Sequence, residues 1–310
     1  VNKRNPPPPP PPAPAEGTAT VERSYPLDGI TAPWGLAELP DGDLLIGSRD
    51  TGTIHRLTPT TGETSVVGTV PGVDATDGTG LLGLTVEDGF VHAYYASTES
   101  VRIGRFAYQG DRAPAQRLGG FSGVVTGLPR ATGDGGGRVG FGPDGHFYAS
   151  VGADAATAGT GEAGKLLRTT DSGAAPQEGN VEPGSLVFAG EDAQVQGFTW
   201  DQVGRTWLVD DDGRLDLIDT TVEGSSAPET LHTWDQEVDP GSLTYAGSAL
   251  WMTDGAERRL WRAPLDGPRL VSEPVALELE GAGPLSAVLA AGDGTLWALD
   301  ETSLLAVDIG

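Results

Sequence analysis

Cysteine is absent from the 310 residues, which excludes disulfides, thiolate metal sites and a cysteine nucleophile. Lysine is nearly absent: Lys3 and Lys165 stand alone, so almost all positive charge is arginine. Only 19 basic residues face 44 acidic ones, a net charge of -25 at pH 7 that repels nucleic acid and anionic lipid headgroups and argues against either as a partner. No stretch approaches the ~18 apolar residues of a membrane span, and no signal peptide is evident. The first residue is Val1 rather than Met, from which a processed N-terminus is expected. The four histidines, His55, His92, His146 and His232, are scattered without metal spacing. Histidine ligation of a metal is therefore not expected, and each is read as a surface or strand residue. No run of about ten residues carries a 3.6-residue apolar period, so helix content should be very low.

What is present is punctuation: Gly 47 and Pro 24. Residues 133–152, GDGGGRVGFGPDGHFYASVG, show the repeating unit most completely. An apolar strand ends in Gly-Pro-Asp-Gly, and Asp144-Gly145 suits a tight turn that needs positive φ before a second strand follows. The unit recurs with turn glycines at 42, 89, 145, 204, 247 and 294. Repeats of roughly 40 to 50 residues with several short strands each indicate a propeller. Six units predict an all-β, six-bladed ring.

Residues 1–17 hold seven consecutive prolines, Pro6 to Pro12, and predict a stiff extended spacer or tether; residues 18–310 form the propeller. Residues 18–25 read as a strand that completes the sixth blade and closes the ring, because closure protects strand edges. Such a spacer fits an extracytoplasmic protein anchored on the outer face of a membrane, for example a lipoprotein, or a secreted one.

At Ala32-Pro33-Trp34-Gly35-Leu36 a resemblance becomes plain, and it continues through Gly80-Leu81-Leu82-Gly83-Leu84, Gly136-Gly137-Arg138, Phe141-Gly142-Pro143-Asp144-Gly145 and Gly164-Lys165-Leu166-Leu167-Arg168. It weakens at Gln196-Gly197 and returns at Leu260-Trp261-Arg262 and Asp293-Gly294-Thr295. The chain resembles the glucose/sorbosone dehydrogenase family, soluble aldose sugar dehydrogenases that use pyrroloquinoline quinone (PQQ) with calcium. The resemblance implies a six-bladed propeller and oxidation of an aldose, with a basic group beside the quinone to take the hydroxyl proton.

The residues that would do this chemistry are replaced. The histidine base that the resemblance implies falls on Asp134, and an unperturbed aspartate is a far weaker base near neutral pH. The cations that would pair with the tricarboxylate quinone fall on Ala193, Pro284, Ser286 and the neighbourhood of Ala256 and Glu257, with an asparagine replaced by Gln194. The substrate-side glutamine or glutamate falls on Asp77 or Gly78, and a blade-3 aspartate falls on Ala153, one place before Asp154. Asp134, Arg138, Asp154 and Gln194 are the candidate residues of the central cleft.

Other constellations read as scaffold. Asp210-Asp211-Asp212-Gly213 has the carboxylate density of a calcium loop but lacks an EF-hand's twelfth-position glutamate and sits where a hairpin turn belongs. The glycines at 133 and 135–137 precede no helix and no Lys-Ser/Thr, so they are not a phosphate loop. Trp207, Trp251 and Trp297 recur at matching strand positions and should pack between blades.

The leading expectation is therefore a non-catalytic binding or assembly module, a pseudoenzyme with no resident cofactor that serves as an accessory subunit of a membrane complex. Its partner would be a protein contacted through the proline-rich tail. The alternative is a divergent PQQ-dependent aldose sugar dehydrogenase, with Asp134 or Asp154 as base and Arg138 supplying charge. A third reading is a carbohydrate-binding propeller without the chemistry.

Overall fold

The computed structural model describes residues 9–133, 135–190, 194–220, 227–255 and 257–310. Its strands form six antiparallel sheets. Blade 1 runs Pro33–Glu38, Leu44–Ser48, Thr53–Thr58 and Glu63–Thr69, and blade 2 runs Leu81–Glu87, Phe90–Ala96, Val101–Tyr108 and Leu118–Leu128. Blade 3 is built of shorter strands, Val139–Phe141, Phe147–Ser150, Leu166–Thr169 and Val187–Ala189. Blade 4 follows with Val195–Trp200, Thr206–Asp210, Arg214–Ile218 and Glu229–Thr233. Blade 5 comprises Pro240–Ala246, Ala249–Asp254 and Arg259–Asp266, and its fourth strand is split into Arg269–Leu270 and Val275–Glu278. Among the described residues the only helical element is a 3-10 turn at Thr76–Gly78.

Blade 6, Leu285–Ala290, Leu296–Asp300 and Ser303–Ile309, receives Ala19–Pro26 as its outermost strand, with Ala19 opposite Ile309 and Pro26 opposite Ser303. The expected closing strand is thus in place. It supplies blade 6 with the outermost fourth strand that its own three lack.

Each strand alternates faces, so both faces of every sheet bury apolar side chains against a neighbouring blade. Trp207, Val209, Leu250 and Met252 fill the joint between blades 4 and 5, and Trp251, Leu260, Val288 and Leu296 fill that between blades 5 and 6. The three tryptophans are core residues as expected: Trp207, Trp251 and Trp297 are all buried. His92 is a strand residue, within the expectation for the histidines, and a buried one. It is buried among Phe141 and Phe147, ring centroids 5.0 and 5.5 Å away.

The hairpins between first and second strands gather on one face of the ring, here the lower face. Their glycines hold positive φ where the turn demands it, as at Gly145. Arginine is spent here: Arg56 Nε meets Asp43 at 2.5 Å, Arg168 Nε meets Asp144 at 2.8 Å and Arg205 Nε meets Asp201 at 2.6 Å. The first two pairs brace turns against third strands, and the Arg205–Asp201 pair closes the blade 4 turn on itself. The connections between blades and between second and third strands lie on the opposite, upper face.

Candidate functional site

The inner strands begin at the upper face, and four of them carry a β-bulge at the second residue. Trp34, Leu82, Gln196 and Ser286 are each skipped by the pairing that flanks them. A bulge frees one residue from the ladder and re-aims its side chain. In this ring it furnishes the upper mouth of the central channel.

Arg138, immediately before the inner strand of blade 3, crosses that mouth. Its Nη2 donates to the Ser286 carbonyl on the opposite blade at 2.9 Å, and its guanidinium lies 5.5 Å from the Trp34 ring centroid. Arg49 stacks on the same indole at 4.4 Å, so Trp34 is flanked by two cations. Below this plug the channel encloses about 380 Å³ and is lined by inner-strand residues including Leu82, Val139, Phe198 and Leu289. Arg138 thus lines the cavity on the ring axis and bridges its mouth.

The glycine loop ahead of Arg138 is held by its backbone. Gly137 N–H donates to the Ser150 carbonyl, Arg138 N–H to Ser150 Oγ, and Gly136 N–H to Gln196 Oε1 at 3.1 Å. A Cβ on Gly136 would lie 2.6 Å from the Gly152 nitrogen, and its φ is +71°. Only glycine fits such an approach. Asp134 itself lies outside the described residues.

Beside this loop, between the upper connections of blades 3 and 4, is a cleft of about 390 Å³. Asp154, Gln194, Asp211 and Asp212 line it with backbone of the 153–164 loop. Gln194 is fixed at both ends: its N–H donates to Asp211 Oδ1, and its Oε1 accepts from Ala153 N–H, each at 2.8 Å. Its Nε2 lies 2.2 Å from where a Cβ on Gly135 would stand, so the amide is packed against the glycine loop. Gln194 and Asp154 therefore share the cleft, while Arg138 stands apart at the channel mouth.

Asp154 is a loop tie. It accepts from the N–H groups of Thr132, Ala156 and Thr157 and from the hydroxyls of Thr132 and Thr157, at 2.8 to 3.1 Å. These bonds, from the Thr132 amide first, hold its carboxyl well below the usual carboxylate range. A carboxylate so saturated is a poor proton acceptor, which speaks against the role of base expected for it.

The aspartate run 210–212 is a turn, as expected. Asp210 is buried, and its Oδ1 accepts from the amides of Asp212 and Arg214 while Oδ2 pairs with Arg214 Nε at 2.8 Å. Burial raises its pKa above the usual carboxylate value despite these bonds. Among the described residues no group of three or more His, Asp or Glu side chains forms a metal site. Sequence reasoning missed Arg130, which reaches Asp74 Oδ2 at 3.1 Å, the Ser97 carbonyl at 2.5 Å and Thr76 Oγ1 at 2.7 Å, joining three upper connections. It also missed the bulges, whose signal is a glycine after the re-aimed residue, as in Trp34-Gly35, Leu82-Gly83 and Gln196-Gly197.

A six-bladed propeller with a plugged channel and an upper cleft beside a glycine-rich loop defines the class of protein. Residues 30–224 match the Glucose / Sorbosone dehydrogenase family, and the chain belongs to that family. Among solved structures it is similar to the PQQ-bound aldose sugar dehydrogenase of Streptomyces coelicolor, 32% identical with TM-score 0.85, over 96% of this chain and 100% of that one. An oxidoreductase of Thermus thermophilus described as a glucose dehydrogenase is 25% identical with TM-score 0.74, over 92% and 99% of the two chains. The apo-form soluble aldose sugar dehydrogenase of Escherichia coli shares the fold at 17% identity, TM-score 0.76, over 95% and 99%. No curated protein matches the chain in sequence.

The described residues that line this cleft offer no cation to a tricarboxylate quinone. Among the described residues the groups facing it are carboxylates, one amide, alanine methyls and backbone. The nearby cations are committed elsewhere: Arg130 to Asp74, Arg138 and Arg49 to the Trp34 ring, and Lys165 Nζ to the Gly161 carbonyl at 2.7 Å. An anion placed here would meet Asp154, Asp211 and Asp212 rather than guanidinium forks.

Proposed function

We propose that this propeller is a divergent aldose sugar dehydrogenase, an oxidoreductase whose upper cleft receives a polyhydroxylated, uncharged sugar. The reading is carried by one observation: similarity to a PQQ-bound aldose sugar dehydrogenase runs along 96% of this chain and all of that one. Relationship on that scale embraces turns, inner strands and upper connections together rather than a single motif.

The cleft's chemistry supports a neutral polyol. Carboxylates accept hydrogen bonds from hydroxyls in pairs, and the Gln194 side-chain amide, held through Oε1 by the Ala153 N–H while its backbone N–H is held by Asp211, is a preset hydrogen-bonding surface. These residues bind and orient. The loop tied by Asp154 shapes one wall of the cleft. No reaction step is assigned through PQQ, because the described groups of this cleft do not suit its charge, and the two electrons of a sugar oxidation would pass to an acceptor added in the assay.

A second reading, a sugar-binding propeller without turnover, is favoured by the saturated state of Asp154 and the absence of a cationic cradle at the positions the family resemblance implies. Both readings place the chain outside the cytoplasm, a location supported by the proline-rich segment ahead of the ring. Titration with PQQ and calcium, then aldose-dependent dye reduction in the same sample, separates them. Dye reduction that follows sugar concentration supports the dehydrogenase. Sugar binding without dye reduction supports the second reading, and absence of both contradicts the pair.

A further inference from the structure

Proline-rich segments present carbonyls without amides, so whatever recognises them must donate hydrogen bonds. Between Pro6 and Pro14 the only amide N–H belongs to Ala13. That amide donates to the Leu265 carbonyl at 2.9 Å, and Ala13 is 5% exposed. The segment leading into Ala19–Pro26 is therefore held against blade 5.

The holding group is Arg262, on the third strand of that blade and 2% exposed. Its Nη2 donates to the Pro14 carbonyl at 2.9 Å and Nη1 to the Ala15 carbonyl at 3.4 Å, while Ser272 Oγ donates to the same Ala15 oxygen at 3.3 Å. Among the described residues no carboxylate forms an ion pair with Arg262. A buried guanidinium that relies on peptide carbonyls leaves costly unsatisfied donors if they depart without water replacing them. Its position also explains the split fourth strand: residues 271–274 interrupt the outer edge of blade 5 where Ser272 reaches the segment.

Pro10 and Pro11 continue toward the lower face, where they share a small pocket with Asp201, Arg205, Tyr245 and Ser248. Those residues belong to the lower turns of blades 4 and 5 or border them. The upper cleft is on the opposite face. We propose that the edge of blade 5 is a recognition site for an extended proline-rich segment, occupied by residues 10–17 of the same chain, and that this docking sets Pro9 at the lower rim. The segment works as a clamp with a fixed exit rather than as a free spacer.

The absence of cysteine makes the test clean, because introduced cysteines are the only labelling sites. Spin labels on the full chain at Pro9→Cys with Val203→Cys report the lower rim, and Pro9→Cys with Thr160→Cys report the upper loop. The expected result is a short, narrow distance distribution for the first pair and a long one for the second. Arg262→Met should broaden both. Gly17→Ala should do the same without altering the ring, because a Cβ there would stand 2.4 Å from Arg262 Nε. Amide exchange at Ala13 should be slowed in the wild type and accelerate about tenfold or more in either variant. Free-peptide exchange at Ala13 in the wild type, or a broad distribution for the lower-rim pair, would overturn the site. Unchanged narrow distances in both variants would overturn the role of Arg262.

Discussion

Arg138 on blade 3 donates through Nη2 to the carbonyl of Ser286 on blade 6, 2.9 Å away across the ring. Blades 3 and 6 are opposite one another, so a single side chain ties two halves of the propeller at the upper mouth of its channel. Ser286 is available because a β-bulge releases it from pairing with the adjacent strand. Its own Oγ donates to the Pro33 carbonyl at 3.2 Å, extending the tie to blade 1. The charge of Arg138 is thus used to hold the scaffold.

Arg138→Met should therefore lower stability by about 2 kcal/mol, the cost of removing a charge-assisted bond and leaving a carbonyl without its partner. Urea unfolding of the two proteins measures it. An unchanged midpoint and slope would show that the cross-ring bond holds nothing.

Ring closure rests on Tyr25, which is buried, lies 5.8 Å from the Trp297 ring centroid and donates its hydroxyl to the Pro59 carbonyl at 3.0 Å. Tyr25→Ala should cost about 3 to 5 kcal/mol by emptying an aromatic site. Tyr25→Phe should cost only about 1 kcal/mol, the value of the lost hydrogen bond. Thermal or urea unfolding of both variants gives the comparison, and equal losses would contradict it.

His92 supplies the pH dependence. Burial, then the nearby Arg105 charge, push its pKa down to about 4, below the ~6.5 of an exposed histidine. The unfolded chain therefore binds the proton more readily than the folded one. This contribution to stability is complete above about pH 6.5 and falls away as pH drops toward 4, by on the order of 3 kcal/mol. His92→Gln should flatten that part of the stability profile in urea unfolding between pH 4 and 7. A wild-type profile already flat there would show that the imidazole is solvated.

Asp154→Asn should loosen the 153–164 loop without acting as the loss of a base. Hydrogen exchange at the Thr132 and Thr157 amides should quicken. Any sugar-dependent activity should keep its pH profile, because the carboxyl is already ionised throughout the neutral range. A loss of turnover accompanied by a shifted pH profile would restore Asp154 to catalysis.

The architecture was legible because each blade repeats its turn chemistry. Asp41-Gly42, Asp144-Gly145 and Asp293-Gly294 mark the same hairpin, and residues 18–25 carry enough strand character to reveal the closure. The site was less legible for a physical reason. Its side chains are placed by bulges and long connections, whose geometry depends on contacts between blades rather than on local pattern. Arg138 is an example: its position in Gly-Gly-Arg is readable, but its partner stands 148 residues further along the chain. Asp154 looked like an available carboxylate until its five hydrogen bonds were visible. Pro14 and Ala15, at the end of the proline-rich segment, bond Arg262, a residue whose sequence context suggests an ordinary strand arginine.

The central claim is that the upper cleft receives an uncharged sugar. Calorimetric titration of the full chain with a neutral aldose and with the matching uronic acid, repeated on Gln194→Ala and Asp212→Asn, tests it most directly. The account predicts saturable binding of the aldose, weaker binding of the uronate, and a loss of about tenfold or more in aldose affinity when Gln194 is truncated. Asp212→Asn should narrow the gap between the two sugars. No aldose binding, or aldose binding indifferent to both substitutions, would contradict it.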